Sequence, residues 1–199
     1  MDRKVLWAGL LSLVVIGMTA LIWVVTRPVS FRGTSYGEPY PKAAEIELTR
    51  SNGDVFHLSD QKGHIVLLFF GYTSCPDVCP TTLAELNQVM GKLGDNARQV
   101  QVVFVSVDPE RDTPEKIQEY VEHFNKDFIG LSGSPADLQV IWDNYGVFRE
   151  VVDSESAFGY TVNHTARTYL IDKDGNLRLS YGFQTPVEDM VSDFEILLK

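Results

Sequence analysis

The chain has 199 residues, 44% hydrophobic and 22% charged, with two cysteines and a formal net charge of −10. This length suits one domain with a sizeable core, and the composition excludes collagen-like, low-complexity and disulfide-scaffold classes. The acidic balance argues against a nucleic-acid partner, which needs a basic footprint.

The charge is unevenly placed. Four basic side chains against one acidic in residues 1–32 give +3, which leaves −13 for residues 33–199. Val5–Val25 runs through 21 positions without a charge. A bilayer-spanning helix needs about 20 such residues, whereas the apolar part of a signal peptide has about 7–15. No small-residue cleavage site follows, and no cysteine is placed to take a lipid. A cleaved signal peptide and a buried core helix are the competing readings. Trp7 and Trp23 stand near the two ends, where interfacial aromatics are favoured. The expectation is a single transmembrane helix through residues 5–25. No Arg- and Ser-rich transit peptide precedes it, which points to a bacterial cell membrane. The basic residues Arg3 and Lys4 favour a cytoplasmic amino terminus, with the acidic domain on the periplasmic side. Residues 1–32 are then anchor and start of tether, and 33–199 the domain.

Residues 27–44, rich in Pro, Gly, Ser and Tyr, read as a tether. Asn52-Gly53 between Ile46–Leu48 and Val55–Leu58 predicts a two-residue β-hairpin. Ile65–Phe70 and Val100–Val107 are continuous apolar runs, as in strands covered on both faces. Between them a helix starts near Pro80, with Leu83, Leu86, Met90 and Leu93 on one stripe. Further helices open at Pro114, at Ser134-Pro135 with capping acid Asp137, and at Thr185-Pro186. Phe128–Leu131, Val147–Val152 and Thr168–Ile171 are strand-like, and Asp174-Gly175 turns the last of them into Leu177–Tyr181. Such alternation predicts an α/β domain with a largely parallel sheet, and a thioredoxin-like fold with an N-terminal hairpin fits the order. Phe69, Phe70, Trp142, Tyr145 and Phe194 are expected in the core.

Chemistry centres on Cys75 and Cys79, in the loop GYTSCPDVCP between a buried strand and a helix start. Ligands bind at the carboxyl ends of strands in such sheets. Cys79 at the helix amino terminus would be favoured as a thiolate. If the helix begins at Asp77 or earlier, the spacing puts both sulfurs on one face. A structural disulfide closing so small a loop stabilises little, and a structural zinc site needs four ligands. Two unrelated buried cysteines are a further, purely structural reading, and beside it stand a redox dithiol or a metal site with few ligands. Two thiolates plus an imidazole would suit Cu(I). Spacing does not choose among His57, His64, His123 and His164, although His164 lies in a polar loop, Asn163-His164-Thr165. Asp108 ends a strand at the same sheet edge as the cysteine loop. It reads equally as a functional carboxylate and as a turn residue before Pro109, whereas Asp112 reads as a turn or cap.

Three stretches, GYTSCPDVCP (71–80), VSVDPERDTP (105–114) and YTVNHTARTYLIDKDG (160–175), resemble the Sco/SenC family. These are membrane-tethered copper proteins that assist assembly of cytochrome c oxidase. The resemblance implies copper, as Cu(I) or Cu(II), held by Cys75, Cys79 and His164. It gives Asp108 the part of a nearby carboxylate that modulates the metal without ligating it. It also implies delivery to the dinuclear copper (CuA) site of oxidase subunit II, with a thioredoxin-like protein as reductant. Many members have His where Ser74 stands and Asp where Asn163 stands. Ordinary thioredoxin-like oxidoreductases carry Cys-x-x-Cys and a proline where Ala166 stands, so these departures favour metal over general disulfide exchange.

Two functions of different class follow. One is a copper metallochaperone, not an enzyme. The other is a thiol–disulfide oxidoreductase using Cys75 and Cys79, which would keep the subunit II cysteines reduced; some members of the family are implicated in redox or copper sensing. A one-cysteine peroxidase is a weaker third.

Overall fold

The computed structural model describes residues 3–25, 30–153 and 159–198. The chain divides into two compact units, Met1–Ser30 and Phe31–Lys199. In the first, Arg3–Val25 is one helix, α1. Among the described residues no helix is long and apolar enough to cross a membrane. The backbone of α1 is continuous, but its described side chains run unbroken only from Leu11 to Trp23. Within the span expected at Val5–Val25, the side chains of residues 5–6, 8–10 and 24–25 therefore lie outside those described.

The second unit is built on a six-stranded sheet. Its strands are β1 (Thr34–Ser35), β4 (Ile65–Gly71), β5 (Val100–Ser106), β6 (Ile129–Leu131), β9 (Arg167–Ile171) and β10 (Leu177–Gly182), in the order β1-β10-β9-β4-β5-β6. Every residue of β4 is buried, as its unbroken apolar run requires. β4 pairs in parallel with β5, in register from Ile65–Val100 to Gly71–Ser106, and β5 with β6. The other half departs from the expected parallel sheet: β9 runs antiparallel to β4, β10 to β9 and β1 to β10. A tight turn at Asp172–Asn176, rather than a crossover helix, joins β9 to β10, and it dictates the antiparallel direction.

Helix α2 (Val78–Leu93) buries Cys79, Leu83, Leu86, Val89 and Leu93, the stripe that a 3.6-residue period places on one face. Helix α3 (Pro114–Glu122) is capped by the Thr113 side chain, which accepts from the Lys116 N–H. Ser134 caps α4 (Pro135–Tyr145) through the Asp137 N–H. The expected cap of α5 (Val187–Leu197) is not made: Thr185 Oγ1 donates to the Gly182 carbonyl instead. Phe69, Phe70, Trp142, Tyr145 and Phe194 are all buried, as expected.

Two hairpins stand outside the main sheet. Strands β2 (Glu47–Thr49) and β3 (Val55–His57) pair as expected, but their turn is longer than two residues. Arg50 N–H donates to Asp54 O, Gly53 N–H to Arg50 O, and Gly53 has φ 88°, a three-residue turn closed by a left-handed glycine. Strands β7 (Arg149–Asp153) and β8 (Tyr160–His164) form the other pair. The tether reading of residues 27–44 also needs correcting. Arg32 and Gly33 N–H both donate, at 2.8 Å, to the buried carboxylate of Asp193 on α5, and β1 follows as an edge strand. The segment from Phe31 onward belongs to the domain.

Candidate metal centre

The site lies where β4 ends, at the carboxyl edge of the parallel strands. Gly71 makes the approach possible: a Cβ there would fall 2.6 Å from the Phe104 ring and 2.7 Å from Cys79 Sγ. Buried Tyr72 follows, and the chain turns so that Cys75 N–H donates to Tyr72 O at 3.3 Å. Cys75 precedes the helix, because α2 starts at Val78, so the condition for both sulfurs to share one helix face is not met. The two sulfurs still converge, and Cys79 N–H, in the first turn of α2, donates to Cys75 Sγ at 3.4 Å.

Asp112 braces this loop from the next element. Its carboxylate accepts from Thr73 N–H at 3.1 Å, from Thr73 Oγ1 at 2.5 Å and from Ser106 Oγ at 2.9 Å. It is buried, and the helix cap read into it belongs to Thr113. Burial raises its pKa.

The structure brings Cys75, Cys79 and His164 together, with one donor atom of each within 4.8 Å of the others. Cys79 Sγ lies 3.7 Å from His164 Nε2. His164 is not in a loop; it is the last residue of β8, paired with Arg149. His57 lies beside Glu47, His123 Nδ1 beside the Glu119 carbonyl, and His64 at the opposite end of β4, so none of them joins the cluster.

Both cysteines are free and differ sharply in environment. The Cys75 thiol, half-buried, is held down to about 4, foremost by a hydrogen bond from the Cys79 thiol; His164 and the N–H groups of Cys79 and Asp77 act in the same direction, against burial. Burial first, and then the neighbouring Cys75 sulfur, push Cys79 well up. One proton is thus shared unequally: Cys75 is the thiolate and Cys79 keeps the proton. His164 Nδ1 lies 3.1 Å from the Thr165 carbonyl, which can only accept, so Nδ1 carries a proton and Nε2 is the ring nitrogen that faces the sulfurs. Two sulfurs and an oriented imidazole form a soft donor set that fits Cu(I). A groove of about 320 Å³ between Cys75–Val78 and Thr161–His164 leaves the site open to solvent.

Asp108 ends up buried at the same edge but outside the cluster, with both oxygens engaged, by Tyr160 OH at 2.8 Å and by Arg111 Nε. Arg111 Cζ also lies 3.7 Å from the centre of the Tyr160 ring. Neither Tyr160 nor Arg111 stood out in the sequence, although Arg111, three residues after Asp108 in a turn, was a legible ion-pair partner. Asn163 reaches Glu150 across the hairpin at 3.4 Å.

Comparison with known proteins follows the same line. The sequence model of the SCO1/SenC family matches residues 35–199. An SCO2-like protein of Rickettsia prowazekii is 32% identical over 170 residues, covering 85% of this chain and 83% of that protein. The structure of ScoI from Bradyrhizobium japonicum with copper bound is 37% identical, with a TM-score of 0.71 over 78% of this chain and 99% of that one. Apo Sco1 from Thermus thermophilus is 40% identical, with a TM-score of 0.75 over 84% and 97%.

Proposed function

The chain belongs to the SCO1/SenC family, and from that premise we propose that it is a membrane-tethered copper metallochaperone. Cys75 and Cys79 supply two sulfur ligands and His164 the imidazole, and copper passes to the CuA site of cytochrome c oxidase subunit II. The observation that carries this reading is the convergence of those three donors within 4.8 Å at an open groove. Three ligands leave copper open to attack by an acceptor's own ligands, so transfer proceeds by exchange. Cys75 meets the metal as a thiolate already, and Cys79 surrenders its proton on binding.

The charge-free stretch Val5–Val25 supports a single-pass anchor in a bacterial cell membrane, with the domain on the periplasmic side. Such a tether raises the effective concentration of the domain beside membrane-bound oxidase subunits.

A second reading, a thiol–disulfide oxidoreductase acting with a thioredoxin-like reductant, is favoured by one observation: a low-pKa, accessible Cys75 stands beside a buried, protonated Cys79. That is the division of labour between an attacking and a resolving thiol. Copper bound per chain in the reduced full-length protein, against a Cu(I) chelator, separates the two. The chaperone reading expects one copper in the wild type, none in Cys75→Ser or Cys79→Ser, and weaker retention in His164→Ala. No retention by the wild type, with cysteines that cycle readily, would overturn it in favour of the oxidoreductase.

A further inference from the structure

We propose that Tyr160 and Arg111 are positioning residues for His164: with Asp108 they clasp the β7–β8 hairpin to the end of β5 and so set how firmly the imidazole is held over the two sulfurs. The proposal rests on the copper reading above and gives Asp108 a physical route to the metal.

The hairpin is a separate two-stranded sheet. Four of the five residues of β7 are exposed, and in β8 only Val162 is buried. An isolated hairpin of this kind is marginal by itself, so its place depends on what fastens it. Side chains do most of that. Tyr160 OH donates to Asp108 at 2.8 Å, and Arg111 Nη1 donates to the Tyr160 carbonyl at 3.0 Å while its guanidinium lies over the Tyr160 ring. Arg149 Nε donates to Val107 O at 2.5 Å, and its Nη2 reaches Glu110 at 3.1 Å. Val162 N–H donates to Tyr72 OH at 3.3 Å.

Successive side chains alternate across a strand, so Tyr160, Val162 and His164 share one face of β8. The clasp at Tyr160 and the ligand at His164 are therefore two ends of one lever, with Val162 packed between them. Asp108 is fully buried, and its charge is compensated by the Arg111 guanidinium. Arg111 thus touches both partners of the latch at once. Loosening the latch lets β8 swing without breaking any hydrogen bond of the main sheet. The site then falls from three ligands to the two sulfurs of the cysteine loop.

Cu(I) competition on the full-length reduced protein tests this with four forms: wild type, Tyr160→Phe, His164→Ala and the double variant. Tyr160→Phe keeps the ring under Arg111 and removes only the hydroxyl. Groups hydrogen-bonded to a ligand are worth about 10–100-fold in metal affinity, and the clasp acts on His164 at one remove, so retention should weaken by up to about tenfold. The same change made in His164→Ala should cost nothing further, because the clasp acts through the imidazole. Arg111→Lys keeps the positive charge but cannot span Asp108 and the Tyr160 carbonyl together, and should follow the same pattern. Unchanged retention in Tyr160→Phe, or equal weakening with and without His164, would overturn the proposal. Proton–nitrogen spectra of the copper-free protein give a second readout. The His164 ring signals should shift or broaden in Tyr160→Phe while signals from β4 and β5 stay in place. A wild type that holds no copper would defeat the copper reading alone. Unmoved His164 signals would still defeat the clasp.

Discussion

Cys79 and His164 lie 3.7 Å apart, yet they hang from regions built by different physics. Cys79 is wholly buried in the first turn of α2, backed by Phe104 and by the glycine that ends a fully buried strand. His164 closes a two-stranded ribbon that is mostly solvated and is pinned at side chains. The cysteine loop is a product of the core, and its geometry is as stiff as the core's close packing. The hairpin is an appendage, and its geometry is as firm as a few polar contacts, each worth about 0.5–1.5 kcal/mol net and about 1.5–3 where a charge takes part. On the copper reading proposed above, a site composed this way would have two fixed ligands and one adjustable ligand, which would suit a protein that both holds and releases a metal.

The comparison breaks first if the core beneath the loop is less decisive than this. Phe104 is fully buried, 5.6 Å from the Phe69 ring and 5.9 Å from Tyr120, and lies against the Gly71–Cys79 approach. Phe104→Ala should cost about 3–5 kcal/mol in urea unfolding. A loss under about 1 kcal/mol would show that the site does not depend on this part of the core.

Asp112→Ala acts one layer out. It strands Thr73 N–H and Ser106 Oγ without their acceptor and should cost about 1–3 kcal/mol. Asp112→Asn, which keeps an acceptor, should cost less. Equal losses would mean that charge, rather than hydrogen bonding, braces the loop. On the hairpin, Val151 is nearly half exposed, and Val151→Thr should stay within about 0.5 kcal/mol of the wild type. A larger loss would mark the ribbon as part of the core and remove the contrast.

What the sequence revealed follows the same division. The apolar runs of β4 and β5, the stripe of α2 and the cysteine loop at the carboxyl edge are local patterns, and the structure keeps them. The hairpin's role was hidden because Tyr160–His164 has only one buried position, so its alternation carries little signal and His164 reads as loop. The Asp174-Gly175 turn announces the hairpin of β9 and β10, but the antiparallel pairing of β9 with β4 was hidden for another reason: the residues of β9 say that it is buried, not which way it runs. The Asp193 carboxylate that captures Arg32 and Gly33 N–H joins residues about 160 positions apart, and no short-range pattern announces it. Asp108 could be singled out because it ends a strand beside the cysteine loop, where a functional carboxylate and a turn residue read equally, but its partner Tyr160 lies 52 residues away.

The smallest effect expected is a rate that fails to change. An ordinary cysteine titrates near pH 8.5, and only its thiolate attacks iodoacetamide, so between pH 6 and 8 its alkylation accelerates by roughly 80-fold. Cys75 is held down to about 4 by the Cys79 thiol, by His164 and by two backbone N–H groups. Its thiolate is therefore fully formed across that window, and alkylation of the copper-free protein should stay flat to within about twofold. Cys79 is buried and held up, so mass spectrometry should find the label on Cys75 alone. Below the window the sign is fixed by the same shift: the rate falls only as pH drops toward 4, where Cys75 takes up its proton. Replacing Cys79 by Ser removes the strongest downward influence and should restore a slope between pH 6 and 8. A rate in the wild type that climbs in parallel with free cysteine would show that the loop does not preform the thiolate. The two regions would then contribute to the site on equal terms, each ordered only when the metal arrives.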